Sequence, residues 1–312
     1  MLITGTFLDE ISYDIPHQNW GPVEWDLDFQ AMKNCGIDTV ILIRCGLGKF
    51  IACPSEVLVN KFGCYSPETD LVELFLTLAD KYGMAFYFGT YDLGGVHSEE
   101  QIKLEREINL PLCEEVWKKY SHHPSFKGWY LSLEFSRRSD TMMALQRDIG
   151  KHVKALSGGL PVMVSPFIDG CKAVTGENGV LTKDNGVTVE QHYREWDAIL
   201  SGVEGAIDAI AFQDGHCDYC ELADFLHANK ELAIKHGMSS WTNCETFDRD
   251  MPIRFLPIKW EKMLMKLEAA EKAGLDKAIT FEFSHFMSPN SMYLSAKHLY
   301  HRYLEYRQRQ LR

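Results

Sequence analysis

Three glutamates stand where a β-rich run gives way to a polar loop: Glu134 in Leu131-Ser132-Leu133-Glu134-Phe135, Glu245 in Trp241-Thr242-Asn243-Cys244-Glu245, and Glu282 in Thr280-Phe281-Glu282-Phe283. A carboxylate at the end of a buried strand is costly unless it has partners or a task. Two carboxyls in unlike surroundings can divide a reaction, one donating a proton to a leaving oxygen and the other attacking carbon as the anion. Side chains alternate along a strand, so Glu245, Asn243 and Trp241 share one face, as do Glu134, Ser132 and Tyr130, and again Glu282, Thr280 and Ser284. The first of these faces sets a carboxylate, an amide and an aromatic ring in a row, which suits a sugar. Neighbouring runs end in Arg44, in Tyr91-Asp92, in Ser165-Pro166-Phe167-Ile168-Asp169 and in Gln213-Asp214-Gly215-His216. Trp20 is a second tryptophan expected at the mouth of such a site.

The elements that must position these residues alternate along the whole chain. Strands are expected over 2–8, 39–44, 85–91, 127–133, 161–166, 207–212, 239–244 and 277–283. Helices are expected over 25–35, 70–82, 98–120, 141–156, 189–200, 222–236, 257–273 and 293–307, with Pro111 kinking or splitting the third. Gly36, Gly83, Gly158-Gly159, Gly237 and Gly274 follow helices and precede strands, the place of a C-terminal stop. Strands alternating with helices imply a parallel sheet. Eight such units predict an α/β fold, a single (β/α)8 TIM barrel spanning residues 1–312, with its site at the C-terminal rim of the strands. A doubly wound open sheet would want a glycine-rich phosphate turn after the first strand, and Thr6-Phe7-Leu8-Asp9-Glu10 offers none.

The chain has 312 residues and a formal charge of −12, with its few clustered cations confined to a tail around Arg307, Arg309 and Arg312. That balance argues against nucleic-acid binding. No apolar run approaches the ~20 residues of a membrane span. Nine irregularly spaced cysteines fit a reducing compartment better than a disulfide framework. The N-terminus lacks a basic region and a small-residue cleavage site, so the expected location is cytoplasmic, or exported after loss of a leader. Cys217-Asp218-Tyr219-Cys220 beside His216 lacks the partners of a zinc site and reads as loop cysteines. His122-His123 before Pro124 reads as a helix end with favourable charge placement, not a ligand pair.

Glutamates ending strands four and seven resemble the retaining glycoside hydrolases of clan A. The segments Ile3-Thr4-Gly5-Thr6-Phe7-Leu8-Asp9, Trp129-Tyr130-Leu131 with Glu134, Trp241-x-Asn243-x-Glu245 and Phe281-Glu282-Phe283-Ser284-His285 are similar to a family of glycosidase-like barrels known as a domain of unknown function. The resemblance implies Glu134 as general acid/base and Glu245 as nucleophile, about 5–5.5 Å apart, acting on an oligo- or polysaccharide. Arg44, Tyr91, Asp92, Asp214, Trp241, Asn243, Glu282 and Trp20 are then the expected substrate-binding residues, with Asn243 and Arg44 holding Glu245 as the anion and Trp241 flooring the pocket. Leu133 stands where clan A enzymes usually carry an asparagine.

Two alternatives use the same residues. One is a sugar isomerase or epimerase barrel, with Glu134, Asp169, His216 and Glu245 around a divalent metal. The other is a barrel that binds a glycan without cutting it. The glycosidase reading needs no metal or cofactor, so glycan hydrolysis is expected to survive EDTA. Loss of activity on chelation, with recovery on Mn²⁺ or Mg²⁺, would favour the isomerase.

Overall fold

The structure is a computed structural model that describes residues 1–94, 98–170, 186–249 and 255–312. Eight parallel strands close into a barrel. They are β1 (Ile3–Leu8), β2 (Thr39–Leu42), β3 (Ala85–Gly89), β4 (Phe126–Tyr130), β5 (Val162–Val164), β6 (Ala209–Gln213), β7 (Ser239–Asn243) and β8 (Lys277–Thr280). The ring closes where β8 pairs with β1, Ile3 opposite Ala278 and Thr6 opposite Thr280. Around it lie α1 (Pro22–Cys35), α2 (Leu71–Tyr82), α3 (Glu99–Tyr120), α4 (Asp140–Leu156), α5 (Val189–Gly202), α6 (Tyr219–Lys235), α7 (Trp260–Ala273) and α8 (Leu294–Gln310). This is the expected (β/α)8 architecture. Among the described residues no helix is long and apolar enough to cross a membrane.

Strands of this kind are buried on both faces, and every residue of β2 and β6 is buried. One parity fills the barrel, with Phe7, Ile41, Tyr87, Tyr130, Met163 and Ile279 in a single interior cluster. Gly128 belongs to that layer as an absence, because the Tyr87 ring occupies the space where its Cβ would stand. The other parity meets the helices; Phe135 lies there, its ring 5.3 Å from Trp196 and turned away from the barrel interior.

Several boundaries differ from expectation, each for a local reason. β4 stops at Tyr130 and β8 at Thr280, because the chains diverge at the mouth, so Glu134, Glu245 and Glu282 all sit just beyond their strands. β3 stops at Gly89, and Tyr91–Asp92 joins Gly46–Leu47 and Phe50–Ile51 in a separate small sheet. α3 runs through Pro111 as one helix. The carbonyl that Pro111 leaves without a donor is that of Glu107, an exposed residue whose backbone can turn to water. α6 begins earlier than expected, with Asp218 accepting from the Cys220 amide at 3.0 Å, so the Cys217–Cys220 pair marks a helix cap. No disulfide joins the described cysteines.

α8 locks the start of the barrel. The Tyr303 hydroxyl accepts from the Ile3 amide at 2.8 Å and donates to the Ile3 carbonyl at 3.2 Å, all of it buried. Tyr303→Phe leaves that amide without a partner and is expected to cost about 1–3 kcal/mol. Urea unfolding should show a lower midpoint at unchanged slope; an unaltered midpoint would show that water replaces the hydroxyl.

Candidate active site

At the C-terminal mouth of the barrel a cavity of about 260 Å³ is lined by Glu134, Glu245, Asn243, Arg44, Gln213 and His216, with Phe167, Phe247, Phe255 and Phe281 as apolar wall. A second cavity of about 210 Å³ abuts it, sharing Ser12, Asp14, Arg44 and Glu134 and adding Tyr13, Leu47 and Asp92. Inward parity explains the first set. Asn243 and Glu245 continue the inner face of β7, and Phe281 continues that of β8.

Glu245 is buried and held as an anion from three directions. Arg249 grips it bidentately, Nε donating to one oxygen and Nη2 to the other, both at 2.8 Å. Such a fork is the strongest geometry an arginine offers a carboxylate. Its backbone amide donates to Asp214 Oδ1 at 3.2 Å, and Lys266 Nζ donates both to that Asp214 oxygen at 2.8 Å and to the Glu245 carbonyl at 3.1 Å. Burial works to raise the Glu245 carboxyl, but Arg249, Lys266 and His216 outweigh it and hold the group down at about 2. Lys266 is itself buried; burial would lower its pKa, yet the Asp214 and Glu245 carboxylates hold it above its ordinary value.

Glu134 is the opposite case. Burial raises its pKa and the Glu245 charge raises it further, against the pull of Arg44, Gln213 and Arg249. One carboxyl is thus biased towards the acid and the other towards the anion, in one cavity.

The expected site residues divide. Glu134, Glu245, Asn243, Arg44 and Asp92 line the two cavities, Arg44 pairing with Asp92 at 2.9 Å. Asp214 supports Glu245 from beneath. Four others are elsewhere. Trp241 packs towards the opposite end of the barrel, 6.1 Å from Tyr87 with the Lys277 ammonium 5.4 Å from its ring, because it lies two residues below Asn243 in β7, opposite Lys277 at the start of β8. Tyr91 is buried outside the cavities, its amide donating to Asn109 Oδ1 at 2.9 Å and its hydroxyl to the Gly48 carbonyl. Trp20 packs edge-on against Trp25 at 5.1 Å. Glu282 faces away from the cavity because β8 turns Ile279 and Phe281 inward. It accepts from the Ser284 and His285 amides and the His285 ring, whose other nitrogen donates to the Pro16 carbonyl at 2.8 Å. The anion-holding role expected of Asn243 and Arg44 falls instead to Arg249 and Lys266; Asn243 donates to Ser165 Oγ at 3.2 Å.

The isomerase arrangement is not assembled. Asp169 turns to Arg137 at 3.7 Å and lines neither cavity. Among the described residues, the ligand atoms of Glu134, Asp169, His216 and Glu245 form no convergent group.

Arg249, Lys266, Ser12 and Asp14 were not among the expected residues, and Gln213 was expected only as part of the end of strand six. Lys266 did leave a signal, a lysine on the apolar stripe Met263, Lys266, Leu267, Ala270 of α7. Arg249 left none, since it lies in a short hairpin whose Phe247–Asp248 strand pairs with Leu256–Pro257.

The family described as Domain of unknown function (DUF4434) matches residues 3–293. A crystal structure from Bacteroides thetaiotaomicron VPI-5482, described as a putative alpha-L-fucosidase, is 56% identical, covers 98% of this chain and 93% of that one, and superposes with a TM-score of 0.93. An endo-1,4-beta-mannanase from Rhizomucor miehei is 14% identical over 90% of this chain and 86% of its own, at a TM-score of 0.57. An intracellular xylanase from Thermoanaerobacterium saccharolyticum is 11% identical over 89% and 84%, at 0.51. These last two are likenesses of fold. None of the curated proteins matches the chain.

The Lys266–Asp214 pair is 4% and 1% exposed at its side chains, so removing one partner strands a buried charge. Lys266→Met is expected to lower stability by about 3–5 kcal/mol, and adding Asp214→Asn should restore part of it. Urea denaturation of both variants checks this; an undiminished single variant would show that water reaches Asp214.

Proposed function

The chain belongs to the DUF4434 family, and on that premise we propose that it is a retaining glycoside hydrolase in which Glu245 is the nucleophile and Glu134 the general acid/base. The observation that carries the reading is the opposed bias of two carboxyls lining one cavity, Glu134 raised by burial and Glu245 held low by Arg249. In the first step the Glu245 carboxylate attacks the anomeric carbon while Glu134 gives its proton to the departing oxygen. In the second, Glu134 takes a proton from water, which attacks the same carbon and releases Glu245. Gln213 and Asn243 stand beside the reacting carboxyls as amide partners for sugar hydroxyls. Phe167, Phe247, Phe255 and Phe281 give the cavity a wall that the methyl group of a 6-deoxy sugar would meet. That wall, with the description of the 56% identical relative, makes α-L-fucosides the first substrates to test.

Binding without cleavage is the second reading, and activity separates it from the first. On a competent glycoside, Glu245→Gln should abolish turnover. Glu134→Gln should reduce kcat/KM by roughly 10²–10⁴-fold for a poor leaving group and much less for a glycosyl fluoride, whose departure needs no proton. The alkaline limb of kcat/KM should follow Glu134, whose raised pKa keeps the acid form to higher pH, and should vanish in Glu134→Gln. On the acid side activity should persist until the pH approaches about 2, where Glu245 gains its proton. NMR of the first-formed sugar should show the substrate's anomeric configuration; the opposite anomer would sink the retaining mechanism.

A further inference from the structure

On the outer wall, sharing no residue with either cavity, α2 and the turn between α3 and β4 bring Glu73, His122 and His123 together, with their ligand atoms all within 4.8 Å of one another. The two imidazoles are pre-set. His123 Nδ1 lies 2.7 Å from Asp80 Oδ2 and His122 Nδ1 3.0 Å from the Lys119 carbonyl, contacts that place the ring proton on Nδ1 in each and leave Nε2 with its lone pair. His123 is 8% exposed, and its Nε2 is buried without a hydrogen bond. That nitrogen lies 3.3 Å from Glu73 Oε1. A tetrahedral ion with bonds of about 2.0–2.1 Å has ligand-to-ligand edges of about 3.3–3.4 Å.

The frame around these atoms is fixed independently. Asp80 also accepts from the Ser125 amide at 2.8 Å, and Asp70 accepts from Tyr120 and Lys119, each at 2.8 Å, so the turn is tied to α2 at both ends. Lys119 matches Asp70, which leaves Glu73 and Asp80 to bring two negative charges against two imidazoles. A carboxylate behind a ligating histidine is the usual orienting partner of a metal site. The helix-end role expected of the two histidines accounts for His122 Nδ1 and leaves both Nε2 atoms unexplained.

We propose that Glu73, His122 and His123 bind one Zn²⁺, with Asp80 orienting His123 and a water completing the tetrahedron. The site joins α2 to the α3–β4 turn and takes no part in hydrolysis. Tag-free protein stripped with chelator is titrated with ZnCl₂ calorimetrically and with Co²⁺ in the visible range. One equivalent should bind, Co²⁺ should give a tetrahedral absorption band, and the thermal midpoint should rise by about 4 °C at a hundredfold excess over Kd. Glu73→Gln and the exposed-side His122→Ala should weaken binding at least tenfold with the metal-free midpoint unchanged, and Asp80→Asn by about 10–100-fold. Glu245→Gln should bind the ion as the parent does. Absence of uptake, uptake undiminished in Glu73→Gln and His122→Ala, or uptake lost in Glu245→Gln would each overturn the assignment.

Discussion

A carboxylate that has to stay ionised away from water governs the mouth of this barrel. Glu245 is 2% exposed, and an unpaired charge there would simply take up a proton. Arg249 spans both oxygens, and the Lys266–Asp214 pair anchors the backbone on either side of the carboxyl. Each partner comes from a different part of the chain: Asp214 follows β6, Arg249 sits on the hairpin after β7, and Lys266 projects from α7. Holding one anion therefore fixes how a strand end, a hairpin and an outer helix meet. Gly215 completes the arrangement by lacking a side chain, since a Cβ there would collide with Glu245 Oε2 and Arg249 Nε.

The same charge shapes its neighbour. Glu134 faces Glu245 across a cavity whose cations are already committed, Arg249 to Glu245 and Arg44 to Asp92. What remains for Glu134 is diluted attraction, and burial wins. Two glutamates of identical intrinsic acidity thus diverge through unequal shares of the same guanidinium groups. The interior beneath them is packed with Phe7, Tyr130, Tyr87 and Trp241, so the cavity is a shallow bowl on a solid barrel and not a channel.

Glu282 shows how a third acid at the same rim can be purely structural. Its two oxygens are taken by two backbone amides and the His285 ring, and His285 in turn reaches the Pro16 carbonyl. Burial works to lower the His285 pKa, but the Glu282 carboxylate overrides it and lifts the group to about 9. The resulting ion pair pins the loop after β1 to the end of β8. That loop carries Ser12 and Asp14 into both cavities, so the acid outside the pocket positions residues inside it.

Periodicity alone was sufficient for the barrel, because burial on both faces of a strand and on one stripe of a helix is a local property that repeats eight times. It also sufficed for Glu134, Asn243 and Glu245, whose inward direction follows from strand parity within one element. Parity leaves one choice open, namely which of the two faces is inner. For β8 that choice fell to the pairing with β1 and β7, which turned Ile279 and Phe281 inward and Glu282 out. Depth along a strand is likewise set by register between strands, which is why Trp241 fills the far end of the barrel. Arg249 lies beyond any local rule, and Lys266 shows locally only as a lysine on an apolar helix stripe, without its partners. An ion pair forms by proximity in space, and only the folded chain brings a hairpin and a helix face to the end of β7.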